Sequence, residues 1–205
     1  MLLALTLAGV FVFGLSGGLA AVQARLDVFG VVVLAVVVGL AGGVARDVLI
    51  GVPPQAVRDW RYMAVAGGAG AVTFLAHPLL GRLQRPILIL DAAGLALLSV
   101  TGARIALDHH VGAFEAVILG AITGIGGGVL RDILVREIPV VLREGLYAIP
   151  ALLGATIAVV GGNTDWAIVG AVVCFAVRLA GIVFGLNAPR AGRERSSERS
   201  RVPEP

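Results

Sequence analysis

Lysine is absent from the 205-residue sequence, cysteine occurs once, and charged side chains make up only 14% of the chain. A lone Cys174 excludes an internal disulfide framework and reads as a small apolar side chain. With 58% hydrophobic residues and a mean hydropathy of +0.97, the chain is too apolar for an ordinary soluble domain and must be solvated mainly by lipid. The same apolar content excludes a disordered chain, and the 29 glycines follow no triplet period, which excludes collagen. His77, His109 and His110 have no cysteine or further histidine at ligand spacing, so no metal site is expected. There is no phosphate-cradling loop, and no cofactor is expected. All 16 basic residues are arginine, and five of them (Arg190, Arg193, Arg195, Arg199 and Arg201) lie in a polar tail after Leu186. The pI near 10.0 therefore describes a tail and scattered loop charges, not a nucleic-acid-binding patch.

Four stretches are free of charge, 1–24, 28–45, 62–81 and 145–164, and each can cross a bilayer core of roughly 30 Å. Three further apolar segments are interrupted by one to three charges. Together they predict an all-α membrane protein with seven transmembrane helices, at about 2–22, 28–50, 62–80, 87–107, 114–135, 145–161 and 166–186. A cleaved leader is the competing reading of 1–24, but no basic residue precedes its apolar run and the run has an internal counterpart. The arginines set the orientation. With the N-terminus outside, Arg25, Arg82, Arg85, Arg136, Arg143 and a disordered C-terminal tail fall on the cytoplasmic side of the cell membrane, and the outer loops 108–113 and 162–165 contain none. Arg58 and Arg61 are the exception, at an outer edge with Asp59 between them. Trp60, Tyr62, Tyr147 and Trp166 fall at predicted helix ends, where an interfacial aromatic belt is expected.

A shift of 85 positions lays residues 39–62 on 124–147, pairing Gly42 with Gly127, Gly43 with Gly128, Arg46-Asp47 with Arg131-Asp132, Pro54 with Pro139 and Tyr62 with Tyr147. The same shift pairs Ser16-Gly17 with Thr101-Gly102. The chain thus divides into a three-helix unit at 1–86, a second at 87–161, a seventh helix at 162–186 and the tail 187–205. Three is odd, so the second unit enters the membrane from the opposite side. Inverted repeats of this kind place their permeation path between the two halves, often at interrupted helices.

The interruptions expected here are the glycine clusters, Gly42-Gly43 and Gly126-Gly127-Gly128, since each glycine weakens a helix by about 1 kcal/mol relative to alanine. An unwound turn would free carbonyl oxygens to face a wet path and a monovalent cation. Close helix packing is the alternative, because Gly39/Gly43, Gly120/Gly124 and Gly124/Gly128 are small residues four apart. Arg46, Asp47, Arg131 and Asp132 lie at span depth, where charge is costly. Neighbours on a helix do not face each other, so each is expected to need a partner from another helix or water, unless the arginines snorkel to the interface. Both arginines lie roughly 25 Å along their helices, at opposite mouths of any path. Of the other intramembrane charges, Asp91 and Glu115 read as interfacial, whereas Arg104 and Arg178 are deeper and read as a gate or as buried charges with unnamed partners, with snorkelling as the alternative. Ser16 and Thr101 read as symmetric hydroxyls, structural or pore-facing. The Gly14-Leu15-Ser16-Gly17-Gly18 match to a serine-nucleophile pattern has no suitably placed base, so no catalytic residue and no enzymatic activity are expected.

The duplicated glycine-rich block ending in Arg-Asp, its following Pro and Tyr, the early Ser/Thr-Gly and the three-plus-three-plus-one layout resemble the prokaryotic trimeric intracellular cation (TRIC) channels over about residues 1–186. The resemblance implies a homotrimer with one pore per protomer, permeable to potassium and other monovalent cations such as sodium. It also implies that Gly42, Gly43, Gly126, Gly127 and Gly128 shape that pore among membrane lipids. The first copy reads Ala41-Gly42-Gly43, one glycine short of the second. The same domain family has been labelled a glycine transporter, which keeps a carrier of a small zwitterion as the alternative.

Overall fold

The structure, a computed structural model, describes residues 1–77, 84–143 and 146–185; Arg82 and the tail expected at 187–205 lie outside them. The described residues form helices α1 (Leu2–Gln23), α2 (Val28–Ile50), α3 (Gln55–Arg58), α4 (Trp60–Ala76), α5 (Gln84–Asp108), α6 (Ala113–Leu134), α7 (Val140–Arg143), α8 (Ala148–Gly161) and α9 (Thr164–Phe184), with no strand among them. Each of the seven expected helices has a counterpart within a few residues. The four-residue α3 and α7, which follow the two Arg-Asp pairs, were not foreseen. Five helices, α1, α2, α5, α6 and α9, are long and apolar enough to cross a membrane. α4 has 17 residues and α8 has 14, short of that length.

Local chemistry accounts for the ends. The Asp27 carboxylate accepts from the Gly30 amide at 2.8 Å to cap α2, and the Asn163 side chain accepts from the Trp166 amide to cap α9. α2 stops where Gly51 turns left-handed (φ 82°) and the Val52 amide donates back to the Asp47 carbonyl. Eighty-five residues on, α6 stops the same way, with Arg136 at φ 62° and the Glu137 amide donating to the Asp132 carbonyl. Arg25 and His110, also 85 apart, turn left-handed after α1 and α5 (φ 59° and 60°).

Packing repeats at the same interval. Phe13 of α1 fills the notch at Gly94 of α5, and Leu98 of α5 fills the notch at Gly9 of α1. At the crossing of α2 and α6, Gly42 admits the Thr123 carbonyl and Gly127 admits the Val38 carbonyl. Gly39 and Gly124 sit likewise against the carbonyls of Val10 and Leu95. α2 and α6 run as unbroken α-helix through both clusters, which corrects the expected unwound turns. Backbone-to-backbone contact stabilises the crossing and leaves the helical hydrogen bonds intact.

Candidate functional site

The α6 end of this crossing gathers charged and polar side chains from three helices. The Arg131 guanidinium, 3% exposed as a residue, donates from Nη1 to Asp91 Oδ1 of α5 and to Ser16 Oγ of α1, both at 2.7 Å. Its Nε and Nη2 donate to Asp132 Oδ1 at 2.9 and 2.8 Å. Asp132 Oδ2 then accepts from the Val140 amide at 2.9 Å, which fixes α7 beneath it. Asp91, read above as interfacial, is fully buried. α5 begins at Gln84, so Asp91 lies two turns inside the helix and faces α6. Glu115 is exposed in the first turn of α6.

The α2 end repeats the core of this arrangement. Arg46 donates from Nε and Nη2 to Asp47 Oδ1 at 2.9 and 2.7 Å, and Asp47 Oδ2 accepts from the Gln55 amide at 2.8 Å. In both copies an aspartate therefore binds the arginine before it and the backbone amide eight residues after it. This corrects the expectation that adjacent residues cannot pair: Cβ directions diverge, but the long arginine stem wraps around the helix to the neighbouring carboxylate. Burial of both guanidiniums within the protein also removes the snorkelling alternative. Ser16 and Thr101, expected to be equivalent, differ. Ser16 accepts from Arg131, whereas the Thr101 hydroxyl donates to Leu97 of its own helix at 2.8 Å. Thr6 stands at the position equivalent to Asp91, and its hydroxyl donates to Leu2 of its own helix. Of the two arginines, Arg131 bonds side chains of other helices, whereas Arg46 bonds the aspartate beside it on its own helix.

Tyr62 and Tyr147 are buried in the site and not in an interfacial belt, while Trp60 and Trp166 are exposed as expected of one. The Tyr62 hydroxyl donates to Gln55 Oε1 at 2.8 Å. The Tyr147 hydroxyl and Asp91 Oδ1 occupy the side of Gly128 where a Cβ would stand. Arg178 of α9 is buried, lies 4.8 Å above the Tyr147 ring and donates from Nη1 to the Leu146 carbonyl at 3.1 Å. Arg104 is half-buried on α5. Gly126 packs against Gly42 of the facing helix, whereas Gly43 faces open space, with Arg46 Nη2 3.9 Å from its Cβ position. A cavity of about 590 Å³ opens beside Arg131 and Asp132, with Gln23, Glu137 and Arg143 in its wall. Its counterpart beside Gly43, Arg46, Asp47 and Thr6 is only about 20 Å³. Asp91, Tyr147 and Gln55 are the site residues that sequence reasoning missed. The identity of Tyr62 with Tyr147 under the 85-residue shift was the signal available for one of them.

Comparison with known proteins agrees with the repeat. A family model described as glycine transporter matches twice, at residues 3–78 and 88–163, segments again 85 apart. The chain is 50% identical over 203 residues to the UPF0126 membrane protein SCO4104 of Streptomyces coelicolor, covering 96% of this chain and 93% of that protein. It is 36% identical to the UPF0126 inner membrane protein YadS of Escherichia coli K12, covering 90% and 93%. Among solved structures, it resembles the TRIC trimeric intracellular cation channel orthologue from Rhodobacter sphaeroides with a TM-score of 0.86 at 36% identity, covering 90% of this chain and 98% of that one. A prokaryotic TRIC channel crystallised in 0.5 M KCl gives 0.85 at 33% identity, covering 91% and 98%.

Proposed function

Because the chain belongs to the prokaryotic TRIC cation-channel family, we propose that it conducts potassium and other monovalent cations, sodium included, across the cell membrane. On this reading it is a homotrimer of seven-span protomers, each with one path between two inverted three-helix repeats. The N-terminus faces out, so the Arg131 cavity opens inward and the Arg46 space lies toward the outside. The exception to the arginine rule at the outer edge is softened by Asp59, which grips Arg61 at 2.6 Å and is held below the usual carboxylate range by that bond. Ser16, Gly43, Gly128 and the two Arg-Asp pairs border the path, and Arg104 lies on its α5 side.

The observation that carries the channel reading is the compensation of both buried arginines. A bare guanidinium at either mouth would repel cations, but Arg46 is held by Asp47, and Arg131 by Asp91 and Asp132. A path for cations must bind them weakly enough to release them, and neutralised ends suit that. The description of the family model favours a second reading, a carrier of a small zwitterion such as glycine. Such a carrier would use an arginine or a half-helix N-terminus for the substrate carboxylate; here protein carboxylates already hold Arg46 and Arg131, and α2 and α6 run on as unbroken helices.

Potassium-loaded liposomes containing the purified protein, diluted into potassium-poor buffer, test the reading. Rapid potassium efflux is expected, dependent on the protein and insensitive to external glycine. Efflux no faster than from protein-free liposomes would overturn it.

A further inference from the structure

Resting on that reading of a cation path, we propose that the path is gated at its α2 end and that Arg46 is the moving group of the gate. The α2 end is the narrow one. Its space is about 20 Å³, room for about one water molecule, against about 590 Å³ at the α6 end. Thr6 of α1, Gly43 and Arg46 of α2, Tyr62 of α4, Leu98 of α5 and Thr123 of α6 close around it. A cation with its hydration shell does not fit there, and moving one of these side chains admits it.

Three differences between the copies leave Arg46 able to move where Arg131 is held. The first lies 40 residues before each arginine: Asp91 accepts from Arg131 across helices, whereas Thr6 donates its hydroxyl to Leu2 of its own helix. The second is that Arg131 also donates to Ser16 of α1, while the hydrogen bonds of Arg46 among the described residues go to Asp47 Oδ1. The third is the space alongside. The Tyr147 hydroxyl and Asp91 Oδ1 crowd the position of a Cβ on Gly128, but outside the helix's own backbone only Arg46 Nη2 comes within 4 Å of that position on Gly43. Gln55 accounts for the difference. Its Oε1 accepts from the Tyr62 hydroxyl at 2.8 Å and holds it away from Gly43, and the matching residue of the second copy is Val140, which has no side-chain acceptor. Arg46 therefore has an anchor on one side and room on the other. Pivoting on Asp47 Oδ1 toward Gly43, the guanidinium leaves the constriction without the cost of losing its counter-charge.

Single-channel recording in planar bilayers, in potassium chloride, tests the gate in Thr6→Asp and Gly43→Leu. Thr6→Asp offers Arg46 the cross-helix carboxylate that Arg131 already has. One charge-assisted hydrogen bond made only in the closed state is expected to lower the open probability about tenfold or more. Gly43→Leu fills the space that receives the guanidinium, and the open probability is again expected to fall. A lower open probability in channels that still open separates a gate from lost folding. Should Thr6→Asp fail to fold, Gly43→Leu and the smaller Gly43→Ala give the same reading in graded form, with leucine the stronger. An open probability unchanged or raised in folded Thr6→Asp or Gly43→Leu protein overturns the gate. A wild type without unitary currents overturns the cation path itself, whereas wild-type currents that neither variant alters overturn the gate alone.

Discussion

Replacing Gly42 or Gly127 by alanine is expected to prevent α2 and α6 from crossing at their present separation and to cost about 3 kcal/mol of stability, the upper end for overpacking. The added Cβ would overlap the Thr123 carbonyl in the first case and the Val38 carbonyl in the second, and neither backbone group can rotate away as a flexible side chain could. Gly43→Ala is the control on the same helix. Its Cβ meets only Arg46 Nη2, at 3.9 Å, so stability should be unchanged or gain up to about 1 kcal/mol from helix propensity. Thermal unfolding in detergent reads the contrast directly. A Gly127→Ala protein as stable as Gly43→Ala would mean that the crossing is looser than described.

Asp47→Ala is expected to destabilise the protein by about 3–5 kcal/mol, the range for removing one partner of a buried ion pair. It leaves the Arg46 guanidinium, with its side chain 3% exposed, without its carboxylate and deprives the Gln55 amide of its acceptor. Asp132→Ala, at the equivalent position, is expected to cost about half as much. Arg131 keeps Asp91 and Ser16, so only the link to Val140 and one of two carboxylates are lost. The unequal response of two identical dipeptides follows from Asp91 standing where the other copy has Thr6. Equal melting temperatures for the two variants would contradict it.

The helices were legible because lipid demands long uncharged runs, and charges such as Arg25-Asp27 and Asp108 mark where those runs end. The duplicated Arg-Asp block was legible as well, since identical residues recur at one spacing. Partners across helices were not. Asp91 binds Arg131 from 40 residues away, and a single carboxylate near a predicted helix end carries no sign of which face it presents. Tyr147 resembles any interfacial tyrosine until α8 folds its ring between Arg178 and Gly128. The glycines were ambiguous for a physical reason: the missing side chain that weakens a helix is also what admits another backbone, and only the position of Thr123 against Gly42 decides between the two.

A planar bilayer holding the purified protein between two potassium chloride solutions of unequal concentration decides between channel and carrier. Discrete unitary currents that reverse near the potassium equilibrium potential are expected. Absence of unitary currents, together with saturable uptake of glycine into liposomes made from the same preparation, would contradict the channel and establish the carrier in its place.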